Sequence, residues 1–136
     1  MELLVDEIMT RPAASIKVVV TGSTSWTDID SIRRELAKLP AGSTVIHGDS
    51  SGADALAGQA ARELGFIVEP FRKEAADYHR YGRAAWKRLN ERMVESGADL
   101  VLAFHPELHE AGKAKGSKHL LDLAQARGIP IRGFTS

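Results

Sequence analysis

The stretch His47-Gly48-Asp49-Ser50-Ser51-Gly52-Ala53-Asp54 stands between the apolar run Ser43-Thr44-Val45-Ile46 and the alanine-rich segment Ala55 to Leu64. β-Branched residues that run into glycines and then give way to helical spacing form a strand–loop–helix joint. At such a joint the first N–H groups of the helix lack partners within it and face out beyond the sheet, which suits an anion. The loop reads as an anion cradle, and the rest of the chain is placed by what surrounds it.

Upstream, Ile16 to Thr21 is a buried-strand pattern ending at Gly22-Ser23. Thr27 or Asp28 can cap a helix with Ile29, Ile32, Leu36 and Leu39 on one face, ended by Pro40-Ala41-Gly42. Downstream, Ala53, Leu56, Ala57, Ala60, Ala61 and Leu64 give a helix of small residues that can sit close to a sheet. Leu64-Gly65, Ser96-Gly97 and Arg127-Gly128 each put a glycine where a helix should end, and a buried-strand pattern follows each time. Strands alternating with helices predict an α/β fold, a Rossmann-like doubly wound three-layer sandwich. Its five-stranded sheet is mainly parallel, with right-handed crossovers and strand order 3-2-1-4-5.

With 136 residues, 43% hydrophobic and 26% charged, the chain has the makings of one soluble domain. No apolar run approaches the ~20 residues that cross a bilayer, and the start lacks the pattern of a signal peptide, so the expected location is cytoplasmic. The absence of cysteine excludes disulfides, thiolate metal sites and cysteine nucleophiles. A formal net charge of zero argues against nucleic acid as a partner, because phosphate contacts ordinarily bring a basic excess. Residues 1–15 read as an N-terminal tail without assigned function, and residues 16–136 as a single domain.

In an open doubly wound sheet ligands bind beyond the carboxyl ends of the strands, where the strand order reverses. Gly22-Ser23-Thr24, Gly48 to Asp54, and Phe104 to Ser117 would meet there, which suits a phosphate-bearing ligand. Gly22, Ser23, Gly48, Ser51, Gly52, Gly116 and Ser117 are the candidates to admit and hydrogen-bond phosphate or ribose oxygens. Asp49 and Asp54 are expected to orient the loop or bind ribose hydroxyls, since carboxylates repel phosphate. Tyr81, Ala85, Leu89 and Met93 recur at helical spacing as the core stripe of a third helix, from which Arg83, Arg88 and Asn90 are expected to close the pocket.

Two other chemistries share these residues. Gly48-Asp49-Ser50-Ser51-Gly52 matches Gly-x-Ser-x-Gly, and Asp99 with His105, His109 or His119 completes the chain order of a serine hydrolase. His105-Pro106-Glu107-Leu108-His109-Glu110 has metal-ligating residue types, but Pro106 opposes the helix that would align them, and no metal is expected.

Val19-Val20-Thr21-Gly22-Ser23, His47 to Asp54, Tyr81-Gly82-Arg83-Ala84-Ala85 with Arg88, Asn90 and Met93, Gly97-Ala98-Asp99 and Lys115-Gly116-Ser117 resemble the YspA/YpsA-related family of the SLOG superfamily, which includes the LOG and DprA domains. The resemblance runs from Ile16 to Phe134. It implies a Rossmann-like domain that senses, binds or processes a nucleotide or nucleotide-derived ligand, with no other cofactor, and it makes a homo-oligomer an expectation. LOG phosphoribohydrolases look like Pro-Gly-Gly-x-Gly-Thr-x-x-Glu in the last loop, whereas Leu120 stands here at the glutamate position, so cleavage of an N-glycosidic bond is not implied. Binding without turnover is the leading expectation. The alternatives are a nucleotide N-glycosidic hydrolase, a serine hydrolase using Ser50 and a protein-interaction module.

Overall fold

The computed structural model describes residues 14–136, so the expected tail lies outside the described residues except at its end. The elements are β1 (Lys17–Gly22), α1 (Ile29–Leu36), β2 (Thr44–His47), α2 (Ala53–Glu63), β3 (Ile67–Pro70), α3 (Ala75–Tyr81), α4 (Ala85–Glu95), β4 (Leu100–Phe104), α5 (Lys115–Ala126) and β5 (Ile131–Phe134). The sheet has the order β3-β2-β1-β4-β5, and every neighbouring pair is parallel. This is the expected Rossmann-like arrangement. Among the described residues no helix is long and apolar enough to cross a membrane.

Central parallel strands must be apolar on both faces, and β1 is built that way. Val18 and Val20 pack with Trp26, Ile32, Leu36 and the small residues of α2. Val19, between them, packs on the other side with Ile46, Leu89, Met93, Val101 and Leu120. All three valines are fully buried. Helices α1 and α2 therefore cover one face while α4 and α5 cover the other.

Local chemistry sets the helix boundaries. Asp28 caps α1 by accepting the Ser31 N–H at 3.2 Å, and the Trp26 indole N–H donates to the Asp28 carbonyl at 2.9 Å. The three predicted helix-ending glycines, Gly65, Gly97 and Gly128, all have positive φ, at +82°, +97° and +71°.

The expected third helix differs from the sequence reading: it is two helices. Gly82, with φ +58°, begins a short 3-10 turn over Gly82–Ala84 that separates α3 from α4. A capping box starts α3, in which the Glu74 N–H donates to Asp77 Oδ2 at 2.7 Å. The Asp77 carboxylate is gripped by Arg92 of α4, at 3.0 Å from Nε and 2.6 Å from Nη2. Arg92 also donates to the Arg72 carbonyl at 2.8 Å, which ties the connection after β3 to the same helix.

Candidate functional site

Strand order reverses between β1 and β4, so the connections leaving their carboxyl ends diverge and open a crevice. A cavity of about 590 Å³ occupies it. One wall comes from Thr21 to Thr24 after β1 and from Gly48, Asp49, Ser50 and Asp54 around the β2–α2 loop. The opposite wall is His105 after β4 and Ala114 to Ser117 at the start of α5, with Trp86, Leu89, Asn90 and Met93 of α4 and Lys73 after β3 completing the lining.

Close packing joins the walls at Gly22. The Ser23 N–H donates to the Phe104 carbonyl at 2.9 Å, and a Cβ on Gly22 would collide with that carbonyl and lie 2.7 Å from Ala53 Cβ. Gly52, at φ +71°, sits against the Ser23 and Thr24 carbonyls, where a side chain would collide with both. The Ala53 N–H donates to the Ser23 carbonyl at 3.0 Å and the Ser51 hydroxyl to the Thr24 carbonyl at 3.4 Å.

Two carboxylates lie in this wall with different fates. Asp49 pairs with Lys73, receiving its ammonium at 2.9 Å and its backbone N–H at 3.1 Å. Burial works to raise the Asp49 carboxyl, and the bonds from Lys73 outweigh it, leaving the group below the usual carboxylate range. Asp54 receives the Ser50 N–H at 3.3 Å. Burial pushes its carboxyl up to about 7, with the charge of Asp49 adding to the rise and the Ser50 N–H and Lys73 opposing it.

The start of α5 supplies a different environment. Ala114 caps the helix in the left-handed conformation, φ +55°, and no side chain accepts from its first turn. The first N–H groups of a helix have no intrahelical acceptor, and here they border the cavity beside the Ser117 and Thr21 hydroxyls, which are 3.3 Å apart. Asn90 fixes this turn from α4: its amide donates to the Gly116 carbonyl at 3.0 Å and lies 3.1 Å from His119 Nδ1. Burial lowers the His119 pKa, favouring the neutral ring that can accept from Asn90. Trp86 stands edge-on to that ring, 5.3 Å between centroids.

The family model described as "YAcAr: YspA, cpYpsA-related SLOG family" matches residues 16–81. The gene 61 protein of Mycobacterium phage D29 is 37% identical over 125 residues, covering 87% of this chain and 95% of the phage protein. The chain belongs to the YspA, cpYpsA-related SLOG family. Among solved structures, the SLOG domain is similar to the DNA processing protein A (DprA) of Streptococcus pneumoniae, with a TM-score of 0.64 at 15% identity. That likeness covers 88% of this chain and half the length of DprA, and it is a likeness of fold.

Within the SLOG domain, Gly22, Ser23, Gly48, Asp49, Asp54, Asn90, Gly116 and Ser117 line one cavity, as does Ser50. Ser51 and Gly52 do not; they lock the loop against the β1 connection. Arg83 is exposed on the 3-10 turn, and Arg88 turns to Glu91 and Glu95 at 3.2 and 3.0 Å, so neither closes the pocket. The ion pairs of α4 compete for the guanidinium, and the break at Gly82 takes Arg83 off the α4 face. For the hydrolase alternative, no histidine hydrogen-bonds to Ser50 among the described residues: His105 Nδ1 accepts the Glu107 N–H at 3.0 Å, and His119 faces Asn90.

Lys73, Trp86, His105 and Lys115 also line the cavity without having been picked out as ligand candidates. Lys73 and His105 lie just beyond the carboxyl ends of β3 and β4, and Trp86 precedes Asn90 by one helical turn. Those positions are readable once the strand ends and the face of Asn90 are known.

Proposed function

We propose that this SLOG domain binds a nucleotide or nucleotide-derived small molecule in the crevice between β1 and β4. The observation that carries the reading is the union, in one cavity, of an uncapped helix start with an aromatic and apolar wall. Phosphate oxygens are suited to the first turn of α5, where N–H groups, the Thr21 and Ser117 hydroxyls and the Lys115 side chain meet the lining. A flat base is suited to Trp86, Leu89 and Met93. The volume of about 590 Å³ falls within the roughly 300–1,000 Å³ of small-molecule sites.

The interior of α5 supports binding without base release. Leu120 is fully buried against Val19, Ile46 and Leu89, so its position presents no acid to a ligand. Mass spectrometry under native conditions on protein purified from cells should find a nucleotide-class molecule retained. At ~100 times its dissociation constant, that molecule should add about 2.7 kcal/mol to unfolding stability, visible in a thermal melt. A folded protein that retains nothing and shifts with no member of a nucleotide panel would refute the reading, and base release from adenosine monophosphate or cytokinin ribotides would overturn the absence of turnover.

A further inference from the structure

Asp54 is 9% exposed and lines the cavity from the first turn of α2. Its one protein hydrogen bond is the long contact from the Ser50 N–H, and no lysine or arginine forms an ion pair with it among the described residues. Lys73 is engaged by Asp49 instead. Apolar tips approach the same spot from α4: a Cβ placed on Gly48 would lie 2.9 Å from Asp54 Oδ2, 3.6 Å from Leu89 Cδ2 and 3.8 Å from Met93 Cε. A carboxyl group so buried and so poorly partnered resists ionisation, yet it opens on a cavity that also holds the Asp49 carboxylate paired with Lys73, the Asn90 amide and the Thr21 and Ser117 hydroxyls.

We propose that Asp54 contacts the ligand as a neutral acid, donating its proton in a hydrogen bond to an acceptor atom of the ligand. The proposal rests on the nucleotide reading above and reverses the expected role of the residue, from acceptor for ribose hydroxyls to donor. An ionised carboxylate only accepts and repels phosphate, whereas the protonated form supplies an O–H. Its pKa of about 7 keeps both forms accessible near neutrality. The charges that bear on this titration are Asp49 on the same loop and Lys73 after β3, while His105 after β4 and Lys115 on α5 are the other titratable groups of the cavity lining. Helix α4 contributes only Trp86, Leu89, Asn90 and Met93, while the His47 ring sits against Gly58, under α2. Ligand uptake is therefore coupled to proton uptake: above the titration of free Asp54, affinity falls by about tenfold per pH unit.

The test is calorimetric titration of wild type, Asp54→Asn and Asp54→Ala with the 5′-monophosphates of adenosine, guanosine, cytidine and uridine, from pH 5.5 to 8.5. Circular dichroism first checks that each variant is folded. Asparagine keeps a donor and cannot titrate, so the ratio of variant to wild-type affinity should rise about tenfold between pH 7.5 and 8.5. Phosphate ionisation is common to both proteins and cancels in that ratio. Asp54→Ala, lacking any donor, should bind more weakly than Asp54→Asn throughout. A ratio independent of pH, or an Asp54→Asn that loses binding at pH 5.5 as fully as Asp54→Ala, would overturn the donor role. Failure of all four nucleotides to bind wild type at any pH is a separate outcome, and it would defeat the nucleotide reading together with this one.

Discussion

Asp77 and Asp54 are both first-turn acids of helices that follow parallel strands, and both are almost wholly buried, at 1% and 9% exposure. Asp77 holds two bonds from the Arg92 guanidinium and one from the Glu74 N–H, and the arginine keeps its carboxyl below the usual range against the effect of burial. Asp54 has one long bond and open space in front of it, and its carboxyl rises to about 7. The same residue type at a matching place is a rivet in one region and a thinly bonded group in the other. Burial of charge is offset where the fold needs rigidity and left standing where the fold opens.

The largest test of that contrast is the pH dependence of stability. The folded pKa of Asp54, about 7, lies above its unfolded value, so its stabilising contribution is full below ~4 and is lost as pH rises from there through 7. In urea unfolding, Asp54→Asn should therefore gain on wild type as pH rises from 4 to 8, by up to roughly 4 kcal/mol. A constant difference would break the comparison. Asp77 has the opposite sign, its contribution being lost only as acid brings the pH down through its lowered pKa.

Next in size is the rivet. Arg92→Ala strands Asp77 in the interior and should cost about 3 kcal/mol near neutrality, read from the urea midpoint. A loss below about 0.5 kcal/mol, the scale of an exposed pair, would show that the guanidinium does not offset the burial.

The smallest test carries the division over to two glycines. A methyl on Gly22 meets the Phe104 carbonyl and Ala53 Cβ, so Gly22→Ala should destabilise by about 2 kcal/mol. On Gly116 it meets nothing within 4 Å, and Gly116→Ala should gain roughly 0.5–1 kcal/mol from helix propensity. Equal effects in a thermal melt would erase the distinction between a glycine required by packing and one that faces open space.

The layout of the fold was legible because β-branched runs, periodic helices and helix-ending glycines agree at each joint of Ile16 to Phe134. What the sequence concealed was the break at Gly82. A short 3-10 turn lets Tyr81, Ala85, Leu89 and Met93 keep helical spacing across two helices. The glycine loops pointed to the cavity, but spacing alone does not say which glycine faces a ligand and which faces a carbonyl, and Gly52 proves to be the second kind. Nor does it say which acid pairs with which cation: Arg88 and Arg92 stand one turn apart and are engaged by acids of α3 and α4, while Lys73, on a connection without periodicity, pairs with Asp49 at the cavity.

Apart from Lys73, the crevice draws one wall from residues up to Asp54 and the other from Trp86 onward, and the uncapped helix start that borders it belongs to the last helix. During synthesis the emerging chain therefore carries no complete site until α5 has left the ribosome and docked. A small molecule that needs both walls cannot template the early steps. Whatever needs both walls can act only once α5 is in place, and its hold would fall on the rate at which the finished domain comes apart.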